Sequence, residues 1–275
     1  MARRSRRRGR SKRGSGQVAV GVVLMAGVLL ALGFGAYKFV ETRRSHVALD
    51  PGTYCPEEGP RSVTAIIIDA TDSLTLVQRT DLANQIERRI AEVPRFGVLE
   101  IYAVSPVEDE PPQPIFRKCN PGRGGEVSSL TANPAMVERD WREGFQGPLE
   151  AVLGRMLSPG EADTSPILDS IQWVAVNSLA PPDRSGLARR LVLVSDLLQH
   201  SSELSFYGGV VDFAAFKDTP YYRKARAPLQ GVAVDVLMVR RITRRGVQGQ
   251  KLNRFWKEYF DAQGAMSLRI VNLSG

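Results

Sequence analysis

Residues 62–73 read SVTAIIIDATDS. The apolar run 63–68 is mostly β-branched and does not alternate with polar residues, which predicts a strand buried on both faces, as in a parallel sheet covered by helices. It ends in Asp69-Ala70-Thr71-Asp72-Ser73, so an acid and two hydroxyls at alternate positions fall on the loop leaving the strand's carboxyl end. Thr75 and Gln78 then have the spacing of a capping box, and Val77, Leu82, Ile86, Ile90 and Val93 mark an apolar helix face that Pro94 stops. In open α/β sheets, ligands bind outside the carboxyl ends of the strands, near the point where strand order reverses.

The pattern continues along the chain. Strand-like runs occur at 98–104, 191–195, 232–239 and 267–272, with a short candidate at 114–118, and helical patterns lie between them. Asn133 caps a helix with Pro134 at its first position, and Gly144, Gly147 and Pro148 are expected to split it from a segment at 149–157. Ser165 and Pro166 open another helix with Ile167, Ile171 and Val174 inward. The last runs over 250–262, with Phe255, Trp256 and Tyr259 as core anchors. Residues 105–132 and 197–230 are expected to be long irregular stretches. The class is α/β with a mainly parallel sheet covered on both faces.

Two further segments reach the same edge. Thr164-Ser165-Pro166 offers a hydroxyl on the loop before a helix, and residues 191–196 (LVLVSD) deliver Asp196 at a strand's carboxyl end. A hard cation such as Mg²⁺ takes about six oxygen ligands and uses only one or two carboxylates, which suits Asp69, Thr71 and Ser73.

The set D-x-T-x-S, T-S-P and V-S-D, in this order, resembles the metal-ion-dependent adhesion site of von Willebrand factor type A domains over residues 62–273. The resemblance implies a doubly wound, mostly parallel six-stranded sheet with helices on both faces. It implies that Thr71, Ser73 and Thr164 contact a metal through hydroxyls, with Asp69 and Asp196 acting directly or through water. A protein partner offering a carboxylate would complete the coordination. It also implies an antiparallel third strand at 114–118, returning Cys119 to the edge where the first strand begins, close to Cys55. Three features depart from the family pattern. Asp72 is an additional acid, either facing solvent or favouring Ca²⁺ or Mn²⁺ over Mg²⁺; Leu197 stands where glycine is frequent; and the 197–230 insertion is expected to cover the site. The bland alternative is a metal-free member in which Asp69 and Thr71 only cap the following helix.

Composition sets the location. Residues 1–16 carry eight of the 37 Lys and Arg residues and no acid, which leaves 29 bases against 29 acids in the remainder. The net charge of +8 therefore belongs to the basic tail and does not indicate nucleic acid. Residues 18–37 are 20 residues without a charge, enough for a helix to cross about 30 Å of hydrocarbon. The eight preceding bases hold the amino terminus in the cytoplasm. The expected organisation is a cytoplasmic tail (1–16), a transmembrane helix (17–37), a Pro- and Gly-rich tether (38–61) and a domain (62–275) outside the cytoplasm, periplasmic in a cell with an inner membrane. A cleavable signal would place the domain in the same compartment. Gly27, Ala31 and Gly35 share a helix face and would permit a homo-oligomer through close helix approach, although such residues are common in any membrane helix.

Cys55 and Cys119 are the only cysteines, and an exported pair is expected to form a disulfide, the alternative being two buried thiols. With His46 and His200 they lack zinc-site spacing. His200 reads as a surface histidine, and Ser195 lacks a nucleophile elbow. Arg240, Arg241, Arg244 and Arg245 follow a strand and offer charge for an acidic partner or phosphate, the plainer reading being a solvated turn. The function expected is an anchored, non-enzymatic interaction domain, in an envelope assembly such as a secretion or conjugation apparatus. The alternatives are a metal-assisted hydrolase with Asp72 as general base, or an inert scaffold.

Overall fold

The run at 62–68 forms the first strand of the sheet. In the computed structural model, which describes residues 15–45, 47–69, 71, 73–105, 107–129, 132–156, 162–241 and 246–274, β1 spans Ser62–Ile68 and every residue in it is buried. Asp72, most of the basic tail, and Arg244 and Arg245 lie outside the described residues. The chain divides into two units, Met1–Val47 and Ala48–Gly275.

The first unit is one helix, α1 (Ser15–Ser45). Its stretch Val20–Tyr37 is long and apolar enough to cross a membrane, and large side chains such as Leu24, Leu30 and Phe34 are exposed on all sides. A helix apolar all round has no polar face to turn toward water.

The second unit holds a six-stranded sheet in the order β3-β2-β1-β4-β5-β6. The remaining strands are β2 (Val98–Ala103), β3 (Pro114–Cys119), β4 (Ala188–Ser195), β5 (Val232–Met238) and β6 (Ser267–Asn272). All neighbours are parallel except β2 and β3. This is the doubly wound sheet with an antiparallel edge strand that the resemblance implies, and its order reverses between β1 and β4.

Strand alternation divides the core in two. Val63, Ala65, Ile67, Leu191 and Leu193 face one side, where α5 (Ile167–Val174) and α8 (Gln250–Ala262) pack through Ile167, Ile171, Phe255, Trp256 and Tyr259. Ile66, Ile68, Val192 and Val194 face the other, against Leu82 and Ile86 of α2 (Leu76–Ala91) and Leu149 and Val152 of α4 (Gly147–Met156). The helix ends follow the capping chemistry. Thr75 and Gln78 exchange the two bonds of a capping box, and Asn133 accepts from the amides of Ala135 and Met136 to open α3 (Pro134–Asp140).

Three expectations are corrected here. Gly144, Gly147 and Pro148 do not split the helix: a π-helical turn at Trp141–Gln146, closed by the Gly147 amide donating to the Arg142 carbonyl, joins α3 to α4. That turn carries Gly144 against Tyr54, where an added Cβ would lie 2.0 Å from the phenol oxygen. Residues 48–61, read as tether, belong to the second unit, held by the Leu49–Pro56 bridge, the Cys55–Cys119 disulfide and a Cys119 amide bond to the Thr53 carbonyl. The 197–230 insertion is largely core: it forms α6 (Phe213–Lys217) and α7 (Pro220–Lys224) and buries Leu198, Phe206, Phe216 and Leu229 on the α5 and α8 side of the sheet.

Candidate functional site

β1 and β4 are neighbours on either side of the order reversal, so the loops leaving them are brought together. The Asp69 amide donates to the Val194 carbonyl at 2.8 Å, which fixes the end of one strand to the end of the other. The Ala162 amide donates to the Thr71 carbonyl at 3.1 Å, and Ser165 exchanges two backbone bonds with His200. The three predicted segments therefore meet at one place.

Asp69 is 6% exposed and accepts four bonds: Oδ1 from the Thr71 amide (3.3 Å) and hydroxyl (2.6 Å), Oδ2 from the hydroxyls of Ser165 (3.0 Å) and Ser195 (2.8 Å). A carboxylate offers about four lone-pair sites, so Asp69 is saturated and its role is to turn three hydroxyl hydrogens toward itself. The hydroxyl of Ser195 also accepts the Leu197 amide at 2.8 Å and is fully buried. Those of Thr71 and Ser165 keep lone pairs for another partner.

Asp196, 4% exposed, accepts the Leu198 amide on Oδ1 (2.9 Å) and Arg241 Nε on Oδ2 (3.1 Å). Burial, and then the charge of Asp69, pushes its carboxyl up to about 6, while the Leu198 amide and Arg241 pull it the other way. Arg241 Nη1 reaches across to the Ser73 carbonyl at 2.5 Å. Ser73 is exposed, and Thr164 is half-buried beside Ser165.

Several of these residues escaped the sequence reading. Ser165 and Ser195 stand within the T-S-P and V-S-D motifs, but only proximity to Asp69 assigns them to the site. Arg241 is not part of a solvated turn: its side chain is 13% exposed and paired with Asp196. Gln248 positions it, accepting the Arg241 amide at 2.6 Å and donating to the carbonyls of Asp196 (2.9 Å) and Val239 (2.8 Å). Nothing local marks a glutamine for that task. His200 is not a surface residue either: it is half-buried, its ring centroid 4.9 Å from that of Tyr207. Leu197 adopts φ +64°, the left-handed conformation that favours glycine, and is held there by full burial and by Trp256 Nε1 donating to its carbonyl.

The donor set suits a hard cation in kind, since hydroxyl and carboxylate oxygens converge and one carboxylate keeps acceptor capacity. Among the described residues no group of three or more His, Cys, Asp or Glu side chains is placed to hold a metal, so any cation would depend on the hydroxyls. Arg241 opposes it with a positive charge on the same carboxylate.

No protein-family model matches the chain, and no curated protein does. Among solved structures it is similar to a von Willebrand factor type A protein from Catenulispora acidiphila, at 11% identity and TM-score 0.41, covering 79% of this chain and 39% of that one. It is similar to the conserved hypothetical protein BatB from Bacteroides thetaiotaomicron, at 14% identity and TM-score 0.38, covering 78% and 91%. It is also similar to an aerotolerance-related membrane protein from Bacteroides fragilis, at 15% identity and TM-score 0.33, covering 76% and 91%. The chain thus spans well under half the length of the first of these and most of the other two, and the likeness is one of fold.

Proposed function

We propose that this chain is a single-pass membrane protein that presents its folded unit outside the cytoplasm as an adhesion domain. Thr71, Ser73, Thr164, Ser165 and Asp196, with Asp69 orienting the hydroxyls of Thr71, Ser165 and Ser195, would hold Mg²⁺, Mn²⁺ or Ca²⁺. The cation would supply an electrophilic position for a carboxylate of a partner protein. The role is binding, without turnover, within an envelope assembly such as a secretion or conjugation apparatus. The observation that carries this reading is the saturation of Asp69 by Thr71, Ser165 and Ser195, which points the hydroxyls of three loops at one acid beside a second buried acid.

The α1 helix supports the anchoring, and the basic tail supports the orientation. Affinity capture of the full chain from detergent-solubilised native membranes, with Mg²⁺ and with chelator, tests the reading. A partner retained only with Mg²⁺, and lost with Asp196→Asn, is expected; one held equally under both conditions contradicts it.

A second reading is favoured by the Arg241–Asp196 pair. A guanidinium already neutralises the acid, and the unit would then be a metal-free scaffold.

A further inference from the structure

We infer that Arg241 is a displaceable latch on this site, an internal cation that a divalent ion must expel from Asp196 in order to bind. The inference rests on the cation-binding reading and adds its regulation.

Exclusion follows from charge. A guanidinium stays protonated at any pH a protein tolerates, so Arg241 cannot yield its charge and can only move. At Asp196, with little water to screen them, two cations on one carboxylate repel strongly. The acid must choose between them.

The latch is held in a built position. Its amide is fixed by Gln248 Oε1, and Gln248 in turn bonds the carbonyls of Asp196 and Val239. Gln78 Nε2, from the capping box of α2, donates to the Arg240 carbonyl at 2.7 Å, and Arg240 Nη1 donates to the Gln248 carbonyl at 2.9 Å. Residues 240, 241 and 248 are therefore tied to α2, to the end of β4 and to one another.

The guanidinium also spans the site. Nε engages Asp196 after β4, while Nη1 engages the Ser73 carbonyl after β1. One side chain closes both walls of the candidate cradle, and its departure frees both. Ser73 is exposed, so the outer end of the bridge already meets solvent.

The test is a Mn²⁺ titration of the full chain in detergent, reading free Mn²⁺ by electron paramagnetic resonance. Arg241→Gln removes the charge and keeps a polar side chain of moderate length. It is expected to bind Mn²⁺ at least about tenfold more tightly than wild type, equivalent to ~1.4 kcal/mol, and Asp196→Asn in that background to abolish the gain. A merely structural ion pair would not raise affinity when broken. Equal or weaker binding by Arg241→Gln overturns the latch while the cation site stands. No binding by either protein overturns site and latch together. A second measurement covers an Arg241→Gln protein that fails to fold. In wild type, saturating Mn²⁺ should speed phenylglyoxal modification of Arg241, read by peptide mass spectrometry, because the guanidinium leaves Asp196 and the Ser73 carbonyl. Unchanged modification under bound Mn²⁺ overturns the latch.

Discussion

Replacing Cys55 and Cys119 with alanine opens a bridge between residues 64 apart in sequence. Loop-closure entropy for such a crosslink lies between about 3 kcal/mol for roughly 15 residues and about 4.7 kcal/mol for roughly 100, so this bridge contributes about 4 kcal/mol. That is a large part of the ~5–15 kcal/mol by which domains are stable. The bridge joins the buried end of β3 to the segment that enters the folded unit; with it gone that segment loses its covalent tie and rests on the Cys119 amide bond to the Thr53 carbonyl, the Arg61 amide bond to the Phe96 carbonyl, Lys118 over the Tyr54 ring, the Leu49–Pro56 bridge and the packing of Tyr54 on Gly144. For a unit of this size each kcal/mol moves Tm by about 2–4 °C, so the double variant should melt about 8–16 °C below wild type. Thermal melts of the full chain in detergent, for wild type with and without reductant and for the double alanine variant, measure this. A drop of less than about 2 °C would refute the reasoning, because that segment would then be a loose tether. Quantitative alkylation of both thiols in protein purified without reductant would refute it more directly.

Asp196, raised above its ordinary 3.8 to about 6, gives a pH signature. A group with a raised native pKa lends stability that is complete below its unfolded value and is lost as pH rises through its native one. Cation-free wild type should lose on the order of 3 kcal/mol between about pH 4 and 6 that Asp196→Asn retains; parallel Tm profiles for the two proteins would contradict the shift. Gly144→Ala places a Cβ 2.0 Å from the Tyr54 hydroxyl and should cost ~1–3 kcal/mol. The same change in a Tyr54→Ala background should cost much less, and equal costs would dismiss the contact. For topology, a reporter active only outside the cytoplasm, fused after Gly275, should work behind the native tail and fail when the eight bases of residues 1–16 become glutamine. An active fusion in both cases would deny the tail its orienting role.

The elements legible in the sequence are those whose signal is local. The apolar run at 62–68, the Thr75 and Gln78 capping box, the Asn133 and Pro134 start and the aromatic face of α8 are each set by neighbours within a few positions. What could not be read depends on contacts between distant residues. The helix runs through Gly144 to Pro148 because a π-helical turn supplies a geometry that glycine and proline accept, with Tyr54 seated on it from the entering segment. The insertion packs as core because Phe213 and Phe216 meet Phe255 of α8 and Tyr222 meets both of them, a cluster scattered over more than forty residues of sequence. At the site, Asp69 and Asp196 could be read because each ends a buried strand. Arg241 could not, since a basic run carries no sign of which member turns inward; that is decided by Gln248 and Asp196. Leu197 was visible as a departure from glycine, but its left-handed backbone appears only in three dimensions.

Manganese anomalous diffraction from crystals of residues 48–275 grown with Mn²⁺ decides whether the three loops at the order reversal form one divalent-cation site. A single strong peak is expected among Thr71, Ser165 and Asp196, with the Arg241 guanidinium withdrawn from the carboxylate. Clear density with no peak there, and Arg241 still bonded to Asp196 under saturating Mn²⁺, would contradict it.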